Sequence, residues 1–177
     1  MKYRKIASII FVVVVVCVLI GIFAYKVSAI SIDPYELYQV THVLDGDTFK
    51  VKVGWHEVTV RMLGIDTPET VDKRKPVQCY GKEASDQTKE LLSGSSVRLE
   101  LNPDREEKDR YGRYLAYVRR ADDLFVNEFL LQNGYAREYT YGRPYLRQNE
   151  FRGVESMAKD AGVGLWGACP EIIKAKK

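Results

Sequence analysis

Phe49-Lys50-Val51-Lys52-Val53-Gly54-Trp55-His56-Glu57-Val58-Thr59-Val60-Arg61-Met62 is the stretch that decides the fold. Phe49, Val51 and Val53 alternate with Lys50 and Lys52, and Val58, Val60 and Met62 alternate with Thr59 and Arg61. A period of two marks half-buried strands, and Gly54-Trp55-His56 between them reads as a turn. The segment is a β-hairpin with Arg61 on the face away from Val60 and Met62. Its two ends are acidic: Asp45-Gly46-Asp47-Thr48 before it and Asp66-Thr67-Pro68-Glu69 after it. Asp47 and Asp66 lie at nearly matched distances from the turn, so antiparallel pairing brings them together.

That placement carries chemistry. One aspartate at a strand end is an ordinary turn residue. Two that converge beside Glu69 and an arginine form an oxygen-donor site for a hard cation, and Ca²⁺ tolerates irregular shells of carboxylates, carbonyls and waters. Mg²⁺ is the alternative. Arg61 offers a rigid fork of donors to a phosphate. Arg113, in Asp109-Arg110-Tyr111-Gly112-Arg113 on another expected strand, offers a second. Two arginines can stabilise the charge that builds on a pentacoordinate phosphorus. Glu69, behind the fixed backbone of Pro68, can orient or deprotonate a water. Tyr111, Tyr139 and Tyr141 are candidates for stacking on a base or contacting a sugar; ordinary packing is the competing reading in a chain with 12 tyrosines.

Further strands are expected from Tyr38 to Leu44 (Val40, His42 and Leu44 sharing a face), at Val97–Leu101 and at Tyr114–Val118, where Tyr114, Ala116 and Val118 alternate with Leu115 and Tyr117. Gly81–Leu92 reads as a helix with Ala84, Thr88 and Leu91 inward and Ser93-Gly94 as its stop. Val126–Gln132 is a short helix ended by Asn133-Gly134. A third helix runs from Tyr145 to Asp160 with a stripe of Phe151, Val154, Ala158 and Ala161. Five strands and three helices, one of them between strands three and four, make an α+β chain. They match a five-stranded oligonucleotide-binding (OB-fold) β-barrel.

The N-terminus follows other rules. Met1-Lys2-Tyr3-Arg4-Lys5 is basic, Ile6–Ala24 is almost wholly apolar, and Val27-Ser28-Ala29 has small residues where a signal peptidase reads them. Residues 1–29 are read as an export signal cut after Ala29, with membrane attachment through residues 6–24 as the alternative. The expected product is secreted or cell-surface. Residues 30–37 are a linker, 38–168 the folded domain and 169–177 a tail. The chain has 27 basic and 24 acidic residues. Lys2, Arg4, Lys5 and Lys26 all fall in the leader, which holds no acid, so the rest carries 23 against 24 and a net charge of −1. Overall basicity therefore argues nothing about nucleic acid; local placement must. Outside the leader only Cys79 and Cys169 remain, and in an oxidising compartment an even pair reads as a disulfide. His42 and His56 stand at no zinc-ligand spacing with them.

Taken together, Asp45-Gly46-Asp47-Thr48, Arg61-Met62-Leu63-Gly64-Ile65-Asp66-Thr67-Pro68-Glu69, Tyr111-Gly112-Arg113-Tyr114-Leu115-Ala116-Tyr117-Val118 and Gly164-Leu165-Trp166 resemble the staphylococcal nuclease (thermonuclease) family. The resemblance runs from about Tyr38 to Trp166. It implies an OB-fold nuclease that uses Ca²⁺, cuts DNA and RNA at the 5′ P–O bond and leaves 3′-phosphates, acting as a monomer. It further implies that Asp47, Asp66 and the Thr67 carbonyl bind the metal, with Asp45 close by. Arg61, Glu69 and Arg113 would be catalytic, and Arg110 and Tyr111 would hold a terminal phosphate. Tyr139 and Tyr141 would lie in the family's tyrosine loop. The cysteine pair is a departure from the type member. Two other readings of the same residues are a non-catalytic module that holds single-stranded nucleic acid and a calcium-stabilised surface protein. Binding alone does not require the full acid and arginine set, and arginines beside a cation site oppose the cation.

Overall fold

The computed structural model describes residues 10–21, 30–70, 77–104 and 106–169. The chain divides into two units, Met1–Ser31 and Ile32–Lys177. In the first, residues 10–21 form a helix, α1, whose apolar side chains are exposed. Among the described residues no helix is long and apolar enough to cross a membrane. The basic start, the cleavage motif at Val27-Ser28-Ala29 and the tail beyond Cys169 lie outside the described residues.

The second unit is built on a closed barrel. Its strands are β1 (Tyr38–Asp45), β2 (Thr48–Val53), β3 (His56–Met62), β5 (Ser96–Leu101) and β6 (Tyr114–Arg120), in the order β1-β2-β3-β6-β5. All neighbours pair antiparallel except β3 and β6, which run parallel. A separate two-stranded ribbon pairs β4 (Ile65–Asp66) with β7 (Arg137–Glu138). Helix α2 (Gly81–Leu92) comes between β4 and β5, and α3 (Val126–Gln132), α4 (Gln148–Asp160) and the single turn α5 (Leu165–Ala168) follow β6. The α+β barrel and its three longer helices agree with expectation; the ribbon and α5 are additions.

The hairpin register is regular from Thr48 opposite Arg61 to Val53 opposite His56. Phe49, Val51 and Val60 are fully buried, and Met62 nearly so. The turn is tighter than expected, since His56 already pairs and only Gly54-Trp55 lie outside the strands. Strand β1 departs more. Register shifts fall between Val40 and His42 and between Val43 and Asp45. A bulge flips the faces beyond it, so His42 and Leu44 are exposed while Tyr38, Val40 and Asp45 are buried. On β6 Tyr117 is as buried as Tyr114. One face of this strand fills the barrel and the other packs under the helices, where Tyr117 meets Phe151 edge-on. Helix α4 starts three residues later than expected, and Ala161 is its exposed C-cap rather than part of the stripe. Upstream, Ile32 is buried and the Asp33 amide donates to Tyr38 Oη at 2.7 Å, so this stretch packs on the domain.

Candidate active site

Three local devices place the site residues. First, the chain turns sharply between β3 and β4 at Leu63-Gly64, with Gly64 at φ 79°. A Cβ there would come within 2.7 Å of the Tyr145 ring, so only glycine fits both the backbone and the space. The turn sends Asp66 off the hairpin and onto the ribbon with β7, where it lies opposite Arg137. Asp47 and Asp66 therefore meet through a corner, not across a continuing hairpin.

Second, Asp47 is locked by the segment that follows β4. Its Oδ2 accepts from the Thr67 amide at 3.0 Å and from Thr67 Oγ1 at 3.1 Å, and its Oδ1 accepts from Thr48 Oγ1 at 2.8 Å. Gly46 permits the approach, because a Cβ there would stand 2.6 Å from Thr67 Oγ1. Asp45 accepts from Thr70 Oγ1 at 2.6 Å.

Third, the parallel β3–β6 pair sets Leu115 opposite Arg61. Arg113, two residues before Leu115, shares its face, so the two arginines come to one groove although 51 residues separate them in sequence. That groove holds about 980 Å³ and is lined among others by Arg61, Asp66, Arg110, Tyr111, Arg113 and Tyr141.

Arg61 sits between the two aspartates. Its guanidinium is 2.9 Å from Asp47 Oδ2 and 3.0 Å from Asp66 Oδ1, and it also donates to the carbonyls of Ile65 and Met62. Arg137 meets Asp66 Oδ2 at 3.1 Å. Burial raises the Asp66 carboxyl above the ordinary range; Arg61 and Arg137 pull it down and Asp47 pushes it further up. Asp45 is raised as well, by burial first and then by Asp47 and Glu69, against the hydrogen bonds that lower it. Four acids thus share one small region with two arginines, an excess of negative charge.

The opposite wall is made by one tight turn. Asp109 accepts from the amides of Tyr111 and Arg113 at 2.9 and 3.0 Å and grips the Arg113 guanidinium at 2.7 Å. Burial would raise its carboxyl, but these hydrogen bonds outweigh it and hold Asp109 below the usual range. Arg110 and Arg113 both approach the Tyr111 ring, at 4.8 and 5.4 Å from its centroid, and Arg110 also donates to Tyr111 Oη. Tyr139 and Tyr141 are exposed with ring centroids 6.4 Å apart, and both line the groove. Glu69 is half-buried on the segment beyond Pro68, within electrostatic reach of Asp45; it is not part of the groove wall.

A hard cation fits this donor set. The donors are oxygens, the local charge is negative, and burial together with the Asp47 charge disfavours the anionic forms of Asp45 and Asp66. Among the described residues no three His, Cys, Asp or Glu side chains cluster as a metal cage, so carbonyls and waters would complete the shell, as Ca²⁺ accepts.

The structure brings together Asp47, Asp66, Thr67 and Arg61 at one corner, and Arg61 with Arg110, Tyr111, Arg113, Tyr139 and Tyr141 along one groove. Cys79 and Cys169 form a disulfide with Cα atoms 6.0 Å apart, away from these walls. Sequence reasoning missed Arg137, Asp109 as the clamp on Arg113, and Asn127, which ties α3 to the barrel through the Leu63 carbonyl and the Val118 amide. Arg137 sits on a two-residue strand, too short for any periodicity. Asp109 was legible as an i, i+4 partner of Arg113.

The family described as "Staphylococcal nuclease homologue" matches residues 59–168 of this chain. A thermonuclease from Staphylococcus hyicus is 42% identical over 142 residues, which cover 80% of this chain and 82% of that protein. A thermonuclease from Staphylococcus intermedius is 49% identical over 106 residues, 60% of this chain and 61% of that protein. Endonuclease YncB from Bacillus subtilis is 40% identical over 134 residues, covering 74% and 63%.

Proposed function

Because the chain belongs to the staphylococcal nuclease family, we infer that it is a nuclease, and we propose that it is a Ca²⁺-dependent phosphodiesterase that cuts DNA and RNA at the 5′ P–O bond to leave 3′-phosphates. The observation that carries the reading is the meeting of Arg61 and Arg113 in one groove, with Asp47 and Asp66 held against Arg61. A phosphodiester needs charge stabilisation on its non-bridging oxygens and a water aligned against its leaving group.

Arg113, pre-set by Asp109, and Arg61, pre-set by two carbonyls and two carboxylates, present guanidinium forks to one phosphate. Their partners hold both guanidiniums at the groove, and such pre-orientation is a source of electrostatic gain. Glu69 takes or orients the proton of the attacking water. Tyr111 and Arg110 hold a terminal phosphate of the nucleotide, and Tyr139 and Tyr141 receive a base or sugar. Asp47, Asp66 and the Thr67 carbonyl would hold Ca²⁺, which when bound supplies Lewis-acid neutralisation of a phosphate oxygen. The enzyme acts as a monomer outside the cell. Its leader is removed after Ala29 or kept as an anchor through residues 6–24, and N-terminal sequencing of the protein from culture medium and from membranes tells these apart.

The deciding experiment is end-group analysis of plasmid and RNA digests with Ca²⁺ and with a chelator. The expected result is 3′-phosphate and 5′-hydroxyl ends with Ca²⁺ and intact substrate without it. Cleavage of equal rate in chelator, or 5′-phosphate ends, overturns the reading.

A further inference from the structure

The residue beside the disulfide has no part in the groove, yet it holds Glu69. Gln78 makes two hydrogen bonds to the backbone of that one residue: its Oε1 accepts from the Glu69 amide and its own amide donates to the Glu69 carbonyl, both at 3.0 Å. These two bonds tether the glutamate's backbone on both its amide and its carbonyl. Gln78 is in turn fixed from its C-terminal side. Its carbonyl accepts from the Gly81 amide at 2.9 Å. A Cβ on Gly81 would stand 3.2 Å from the carbonyls of both Pro68 and Glu69, so the start of α2 rests directly on this segment.

Cys79, next in the chain, is exposed, but its partner is not. Cys169 is fully buried in a cluster with Ala158, Leu165 and Trp166, and the partly buried Tyr80 packs on that cluster. The Cys169 amide is held by the Leu165 carbonyl at 3.0 Å, and the Leu165 amide by the Gly134 carbonyl at 2.9 Å. Tyr80 stacks on Tyr135, with centroids 5.7 Å apart, and adopts φ 66°, a left-handed conformation that a tyrosine keeps only when its surroundings enforce it. Residues 78–80 are thus bolted to the far end of the chain immediately beside the two hydrogen bonds that hold Glu69.

We propose that Gln78, fastened by the Cys79–Cys169 disulfide, is a positioning residue for Glu69, so that the bridge sets the rate of the chemical step through Gln78. This rests on the reading of Glu69 as the residue that handles the attacking water. Gln78 touches no substrate. It fixes the backbone from which the carboxylate reaches, and a displacement on the order of 1 Å at such a point can cost about a hundredfold in rate.

The test uses the full chain with Ca²⁺ and a defined DNA substrate, and reads kcat and KM separately. Gln78→Leu removes the acceptor at similar size on an exposed side chain; it is expected to lower kcat about tenfold or more, with KM and thermal stability little changed. Gln78→Glu restores an acceptor oxygen and is expected to return kcat to within about threefold of the parent. Cys79→Ser lowers kcat likewise. The double variant Gln78→Leu/Cys79→Ser is expected to be no slower than the slower single variant, because both changes act through one tether. Should Cys79→Ser fail to fold, the contrast between Gln78→Leu and Gln78→Glu still decides. Full kcat in Gln78→Leu, failure of Gln78→Glu to rescue, or additive losses in the double variant overturn the proposal. Glu69→Gln separates the two levels. If it retains full activity, the reading of Glu69 fails; if it is inactive while Gln78→Leu is not slowed, only the tether fails.

Discussion

Arg61 gives its guanidinium to oxygens of four residues, Asp47, Met62, Ile65 and Asp66. A side chain so committed has lost its rotamer freedom before any substrate arrives, and the cost of ordering it is met in folding. Arg113 is held in the same sense by Asp109 and lies against the Tyr111 ring. Two outcomes follow for single residues. Arg113→Ala and Glu69→Gln should each lower kcat by about two orders of magnitude or more with unchanged circular dichroism; full activity in either folded variant would sink the assignment. Asp109 gives a pH signature. Its folded pKa is depressed, so its contribution to stability is complete above the unfolded value of about 4 and is lost as pH falls through the folded value. The Tm gap between the parent and Asp109→Asn should therefore be widest above about pH 5 and narrow steadily toward pH 2; a constant gap would show that Asp109 contributes nothing through its charge.

At the scale of elements, the corner at Leu63-Gly64 does most to make the site. Gly64→Ala should destabilise by about 1–3 kcal/mol, from the left-handed backbone and the clash with Tyr145 together, and urea denaturation measures it. The change should also lower Ca²⁺-supported activity, because β4 carries Asp66. This corner explains what the sequence did and did not reveal. The β2–β3 hairpin was legible to within a residue, because alternation is strong where one face is buried and the other wet. The convergence of Asp47 and Asp66 is legible for the wrong reason: matched distances from the turn imply a continuing hairpin, whereas Thr67 and Arg61 draw the two acids together around a bend. His42 and Leu44 were misplaced because a bulge leaves no mark in an apolar–polar pattern. Tyr117 hid because β6 is covered on both faces, and such strands do not alternate cleanly. Arg137 could not be found at all, since a two-residue strand is defined by its partner.

For the whole molecule, the disulfide joins residues 90 apart in sequence. In the chain-entropy view a loop of that size stabilises by about 4–5 kcal/mol, and measured losses on removing native bridges run to about 2–5. The double variant Cys79→Ser/Cys169→Ser should show a lower urea midpoint by an amount in that range; an unchanged midpoint would mean that the packing around residue 169 suffices without the bridge. Outside residues 1–29 the chain is close to neutral, so attraction for a polyanion has to be local. Binding of DNA should then weaken with salt only gently, with a slope that reflects a handful of phosphate contacts at the groove rather than a basic surface. A steep slope, that of ten or more contacts, would contradict it.

The parallel pairing of β3 with β6 has one more consequence. With the β1–β5 pairing it is one of two long-range seams that the closed barrel needs, and it joins segments on either side of α2 and β5. Contacts of such sequence separation form late, since the intervening chain must first be gathered in. Arg61 and Arg113 become neighbours only through that pairing. An extended chain therefore holds every residue of the site and none of its arrangement.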